Sequence, residues 1–232
     1  AIGGQGGIAL SGAGTTTLGT SNSYSGGTTL NGGTVVAVNN NSFGIGSISV
    51  ASSSTIAAGT TALNTTNAMA VASGQTVTLN TAGDAWTQSG SVSGNGGVTK
   101  VGTGTLSFSG ANTYGGTTLV SGGTLQVTES LLGSGTVTVA SGGTLSGTGS
   151  VGKTTIQSGG TISAGANGNL GTLSLSSLIL NGGGSWKWKM LDATGTAGVG
   201  FDTLGISGSL DLSTLSSANK FTINLQTLSG TN

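Results

Sequence analysis

Apolar and hydroxylated residues alternate in short runs along most of this chain. In Thr136-Val-Thr-Val-Ala140 the valines Val137 and Val139 fall on one face. In Thr105-Leu-Ser-Phe-Ser109 Leu106 and Phe108 do the same, and Leu173-Ser-Leu175, Leu178-Ile-Leu180 and Phe221-Thr-Ile-Asn-Leu225 read alike. Side chains of a strand point to opposite faces in turn, so each run has a dry face and a wet one. The pattern predicts strands throughout, and no stretch sustains a helical period. Gly-Gly and Ser-Gly pairs separate the runs, and glycine takes the positive φ of a sharp corner at no steric cost.

The corners recur. Val139-Ala-Ser-Gly-Gly-Thr-Leu145 matches Ile156-Gln-Ser-Gly-Gly-Thr-Ile162, Leu119-Val-Ser-Gly-Gly-Thr-Leu125, Val71-Ala-Ser-Gly-Gln-Thr-Val77 and Val50-Ala-Ser-Ser-Ser-Thr-Ile56. Looser copies start at Leu30, Val92 and Leu180. The starts are separated by 20, 21, 21, 27, 20, 17 and 24 residues. A step of roughly twenty residues with a strand–corner–strand signature reads as one coil of a β-solenoid. A longer repeat overlies it: Asn22-Ser-Tyr24-Ser-Gly-Gly-Thr-Thr-Leu30 is similar to Asn112-Thr-Tyr114-Gly-Gly-Thr-Thr-Leu119, and Phe43–Val50 to Leu132–Val139. That offset reads as about four coils, one half duplicating the other.

The expected fold is therefore all-β: a right-handed parallel β-helix of roughly ten coils, about 50 Å long at ~4.8 Å per layer. Residues 1–180 form the regular helix and 181–232 a less regular β extension that continues it. Composition fits. The chain has 48 glycines and no proline, which would delete a ladder N–H wherever it stood. Three Trp, two Tyr and four Phe are few, and a narrow interior suits Val, Leu and Ile. One coil cannot bury its own apolar face, so stability comes from stacking. The chain starts at Ala1 with no Met and no basic-then-apolar leader, and ends in Thr227-Leu-Ser-Gly-Thr-Asn232 without a closing element. It reads as a piece of something longer. Open strand edges at either end predict end-to-end stacking, with flanking coils of the same polypeptide or head to tail with copies of itself.

Gly90-Ser-Val-Ser-Gly-Asn-Gly-Gly-Val-Thr-Lys100-Val-Gly-Thr-Gly-Thr-Leu-Ser-Phe-Ser-Gly110-Ala-Asn-Thr-Tyr-Gly-Gly-Thr-Thr-Leu-Val120-Ser-Gly-Gly-Thr-Leu-Gln-Val127 resembles the autotransporter-associated β-strand repeat. Val98, Phe108 and Leu119 stand where that pattern has Leu, Leu and Val. One residue is missing near Gly115, and one glycine is extra at Gly122-Gly123. Repeats are expected at about 12–38 and 90–127, the first without the lysine segment. Gly171–Leu175, Asp202–Ile206 and Gly208–Leu212 are similar to the region that follows such repeats. The resemblance implies a β-helical protein secreted by, or exposed on, a bacterium with an outer membrane.

Charge and reactive groups then narrow the function. Five lysines, no arginine and five acids leave a net charge of zero. That gives no electrostatic footprint for nucleic acid or acidic lipid. No apolar run reaches the ~18 residues of a membrane helix, so this segment is expected to insert in no membrane. Cysteine and histidine are absent, which excludes a disulfide framework and any metal cluster beyond weak carboxylate sites; no cofactor and no metal are expected.

Polysaccharide chemistry on a β-helix needs paired carboxylates or a basic group. Asp84, Glu129, Asp192, Asp202 and Asp211 share no motif. Asp202 and Asp211 could approach across coils, but isolated solvated turn residues are the better reading, and no catalytic residue is assigned. Trp186-Lys-Trp-Lys-Met190 puts Trp186, Trp188 and Met190 on one face and Lys187 and Lys189 on the other. These rings either stack on sugars or fill a widening core, and the second is favoured. Threonine pairs Thr15/Thr17, Thr76/Thr78 and Thr136/Thr138 look too scattered for the flat arrays of ice-binding solenoids. Gly3–Gly7 lacks the Asp of a calcium repeat. Lys100 is expected to pair with an acid of a neighbouring coil or to lie solvated. The expected function is a non-catalytic structural or adhesive surface module, not an enzyme. The rival is a polysaccharide-active enzyme, or an adhesin holding a surface glycan or a host matrix ligand.

Overall fold

A computed structural model describes residues 1–133 and 135–228. The expected C-terminal end at Leu228–Asn232 lies, beyond Leu228, outside the described residues. Among those described there is no helix, and every pairing between strands is parallel. Three sheets form the walls of a β-solenoid. The first stacks Ile8–Ser11, Thr28–Asn31, Ile48–Ser52, Met69–Val71 and Val92–Gly94. The second runs from Thr15–Leu18 to Thr203–Ile206 and holds twelve strands. The third stacks eight strands, from Leu63–Thr65 through Gly143–Gly147 to Thr222–Thr227.

The third sheet sets the number of complete coils at about eight, slightly fewer than the ten expected. The first two coils do not contribute to it, because after Leu18 and after Ala37 the chain returns without a strand. Beyond Gly94 the first sheet dissolves, and its place is taken by the front of long strands such as Ser150–Ile156 and Thr172–Leu180. The last coils are joined by Ser185–Met190, which pairs with Thr161–Ala164 below and Thr222–Thr227 above.

The interior is built from stacked columns. Val35, Ile56, Leu79, Lys100, Val120, Val139, Ile156 and Leu180 lie one above another. A second column holds Leu63, Trp86, Leu106, Leu125, Leu145, Ile162, Trp186 and Ile223. Most of these side chains are fully buried.

The register corrects the repeat alignment in two ways. The corners at 30, 50, 71 and 92 turn from the first sheet to the second; those at 119, 139, 156 and 180 turn from the second to the third. This accounts for the long step of 27 between them, where the pattern skips one face of the rod. Within the 119 corner the inward residue is Val120, paired with Val139, and Leu119 points out. From Val120 to Gly123 that corner is one residue shorter than the stretch from Val139 to Gly143 that stacks on it. Both kinds of corner demand the same thing, a tight glycine turn between two alternating strands, and so carry the same sequence.

Candidate functional site

The two Asn-x-Tyr segments have one geometry. The Asn22 side-chain amide donates to Ser42 O of the coil above at 2.8 Å, and its carbonyl accepts from Ile2 N of the coil below at 2.8 Å. Asn112 donates to Ser130 O and accepts from Val92 N in the same way. Each asparagine side chain ties three layers together, beside backbone bonds that also cross the layers there: Ser23 N donates to Ile2 O, and Thr113 N to Val92 O. Tyr24 and Tyr114 fill the adjoining corner of the core, and each hydroxyl meets a threonine four residues on, Thr28 or Thr118, at 2.6 Å. Burial raises both phenols above the usual range. The shared motif is thus a strand–corner–strand unit, a return held by Asn and Tyr, and a second such unit stacked on the first. The copies do not lie on one face: the first spans the first and second sheets, the second the second and third.

Lys100 is the chief correction at residue level. It is fully buried in the core column and meets no acid. Its Nζ donates to Val101 O, Gly102 O and Gly122 O at 3.0, 2.9 and 3.0 Å, capping the carbonyls of two stacked corners. Desolvation lowers its pKa to about 8.

Asp202 is likewise not a solvated turn residue. Its Oδ2 meets Lys189 Nζ at 2.6 Å, and both side chains are almost wholly buried. Its other oxygen accepts from Gly171 N. Lys189 Nζ also donates to Ser163 Oγ at 2.9 Å and to Ala164 O. Ser163, Lys189 and Asp202 have the composition of a nucleophile, base and orienting acid. The geometry opposes that use: all three ammonium protons are engaged, so Nζ has no lone pair to take a serine proton. Asp202 aligns with Gly171, next to the Thr203–Thr172 pair, and Asp211 pairs with Ile179. Eight strand positions, roughly 26 Å, therefore separate the two acids, and they form no dyad. Asp211 and Asp192 are held below the usual carboxylate range by the backbone N–H groups of Ser213 and Thr194. Glu129 is exposed and Asp84 half-buried.

Trp186 and Trp188 turn inward, 5.9 Å apart, and Phe201 meets Trp188 edge-on at 6.3 Å. They line the open end of the core rather than an outer platform. An apolar opening of about 330 Å³ lies between them, Leu204 and Ile223. Lys187 alone of the pair of lysines points freely outward. The threonines are more ordered than their sequence spacing suggests. Thr15, Thr34, Thr55, Thr78 and Thr99 form one outward column on the second sheet, broken at Leu119 and resumed by Thr138 and Thr155. No T-x-T pair stacks as a pair. Only the cross-coil register reveals the column. Gly3–Gly7 lies exposed along the return above it, with Gly26 N donating to Gly6 O.

The passenger-associated-transport-repeat family matches residues 10–37 and 98–127. An extracellular serine protease of Serratia marcescens is 39% identical over 110 residues, 47% of this chain and 10% of that protein. This chain thus spans about a tenth of that relative. The two matched segments coincide with the two stacked strand–corner–strand units, so the β-solenoid holds two stretches that are similar to passenger-associated-transport repeats.

Proposed function

We propose that this chain is a non-catalytic stalk segment, a rigid rod that holds other parts of a secreted or surface protein away from the cell. The observation that carries the reading is the unbroken core column from Val35 to Leu180, with the buried lysines and Asp202 consumed in holding corners and loops. The extracellular relative and the transport repeats support export. Without histidine these residues cannot by themselves assemble a Ser-His-Asp triad.

The purified protein, incubated with plant, algal and host glycans, is expected to leave them intact. Turnover that disappears in Asp202→Asn or Asp211→Asn would refute the stalk reading. The terminal coils support a further element of this proposal, stacking on additional β-coils. Strand Thr222–Thr227 pairs on one side only among the described residues, and Leu210, Leu212, Ile223 and Leu225 are exposed beside it.

A further inference from the structure

The outer face of the third sheet holds a polar groove that the stalk reading leaves unused. Its floor is a column of hydroxyls, Thr105, Thr124 and Thr144, stacked in register at the strand spacing of about 4.8 Å. Ser146 and Gln126 stand beside it, and Lys187 closes one end. The volume is about 260 Å³. The wall is the excursion 165–171, which folds back over the face instead of turning the corner. It is tied at three points: Ala164 O at its start receives Lys189 Nζ, Gly171 N at its end donates to Asp202, and Asn167 N at its tip donates to Gln126 Oε1 at 2.8 Å, 41 residues back. A buried ion pair is weak support for stability; here Lys189 and Asp202 fasten both feet of the wall.

We propose that this groove binds an acidic linear glycan, lying along the hydroxyl column with its carboxylates toward Lys187. The backbone groups of the sheet are spent in its ladder, so the floor of the groove offers a ligand side-chain hydroxyl, amide and amine groups. Such a surface suits a chain of sugar hydroxyls better than a peptide, which needs a free strand edge. The charge is complementary. Asp202 neutralises Lys189, whereas Lys187 is exposed and has no ion-pair partner among the described residues. The site is compatible with a non-catalytic stalk and does not depend on that reading.

The test is a titration of isotope-labelled protein with oligogalacturonate, cellohexaose and poly-glutamate, followed by amide NMR. Oligogalacturonate is expected to shift the amides of Thr124, Thr144, Ser146, Asn167 and Lys187, and cellohexaose to bind at least tenfold more weakly. Lys187→Gln should weaken oligogalacturonate at least tenfold and Thr144→Val several-fold, with the melting curves retained. Lys153→Gln, an exposed lysine on the second sheet, should leave binding unchanged. Unmoved groove amides would overturn the proposal. So would poly-glutamate binding as tightly, or an equal loss in Lys153→Gln, because either would reduce the effect to surface charge. Cellohexaose binding equally well and indifferent to Lys187→Gln would overturn the acidic specificity.

Discussion

Lys100 and the Lys189–Asp202 pair show how single residues are decided by their surroundings. An ammonium in the core column, satisfied by three carbonyls but by no anion, is held with its pKa down at about 8, against 10.5 when free. Between those values the unfolded chain binds a proton that the folded one has released, so stability rises with pH across that window. The gain is on the order of 2–3 kcal/mol. Above about pH 10 the buried phenols of Tyr24 and Tyr114 act in the opposite sense, since only the unfolded chain ionises them. Urea melts from pH 7 to pH 9.8 should show the rise, and Lys100→Met should abolish it. For the ion pair, Lys189→Met or Asp202→Asn leaves a buried partner uncompensated and should cost roughly 3–5 kcal/mol. Lys189→Met combined with Asp202→Leu should recover part of this, but not the bond from Gly171 N, as a double-mutant cycle would read out.

At the scale of the element, the corner is the unit that repeats, and its glycines differ in what they carry. Gly147 has φ +131°, and a Cβ there would stand 1.9 Å from Val127 O of the coil below. Gly142 has φ +80°, yet nothing lies within 4 Å of its Cβ position. Gly142→Ala should therefore cost only the backbone term, about 1 kcal/mol. Gly147→Ala adds a collision with main chain that no rotamer can relieve, and should cost on the order of 3 kcal/mol. Denaturant midpoints of the two variants measure the difference, and equal losses would refute the close approach. The Asn-x-Tyr returns follow the same logic. Replacing Tyr114 by Phe strands the Thr118 hydroxyl in the core and should cost about 1 kcal/mol.

The molecule is a stack whose layers protect one another, and among the described residues no layer lies over the strand Thr222–Thr227. Ile223 is 59% exposed and Leu225 54%, although both occupy inward positions of strand Thr222–Thr227. Beneath them the indole N–H of Trp186 and the hydroxyl of Thr203 are buried without a partner. That edge strand carries no charge, the usual defence against pairing. The expected outcome is concentration-dependent association in sedimentation and light scattering, with head-to-tail rods by electron microscopy. Ile223→Lys with Leu225→Lys should suppress it. Monodisperse wild-type rods at high concentration would show that the end is content alone.

The all-β class, the parallel coil and the positions of most corners are legible in the sequence because they are local. A period of two and a glycine turn are properties of a few adjacent residues, and Val139–Leu145 or Ile156–Ile162 announces itself without any neighbour. Which face of the rod each corner occupies is not local. The corners at 92 and 119 look alike and differ only in which strands they stack upon. The same holds for Lys100, Lys189, Asp202 and the threonine columns. Their burial or exposure depends on the register between residues some twenty apart, and on a loop at 165–171 reaching two coils back to Gln126. Alternation establishes that a residue lies on one of two faces, but only the stacked structure decides what that face meets.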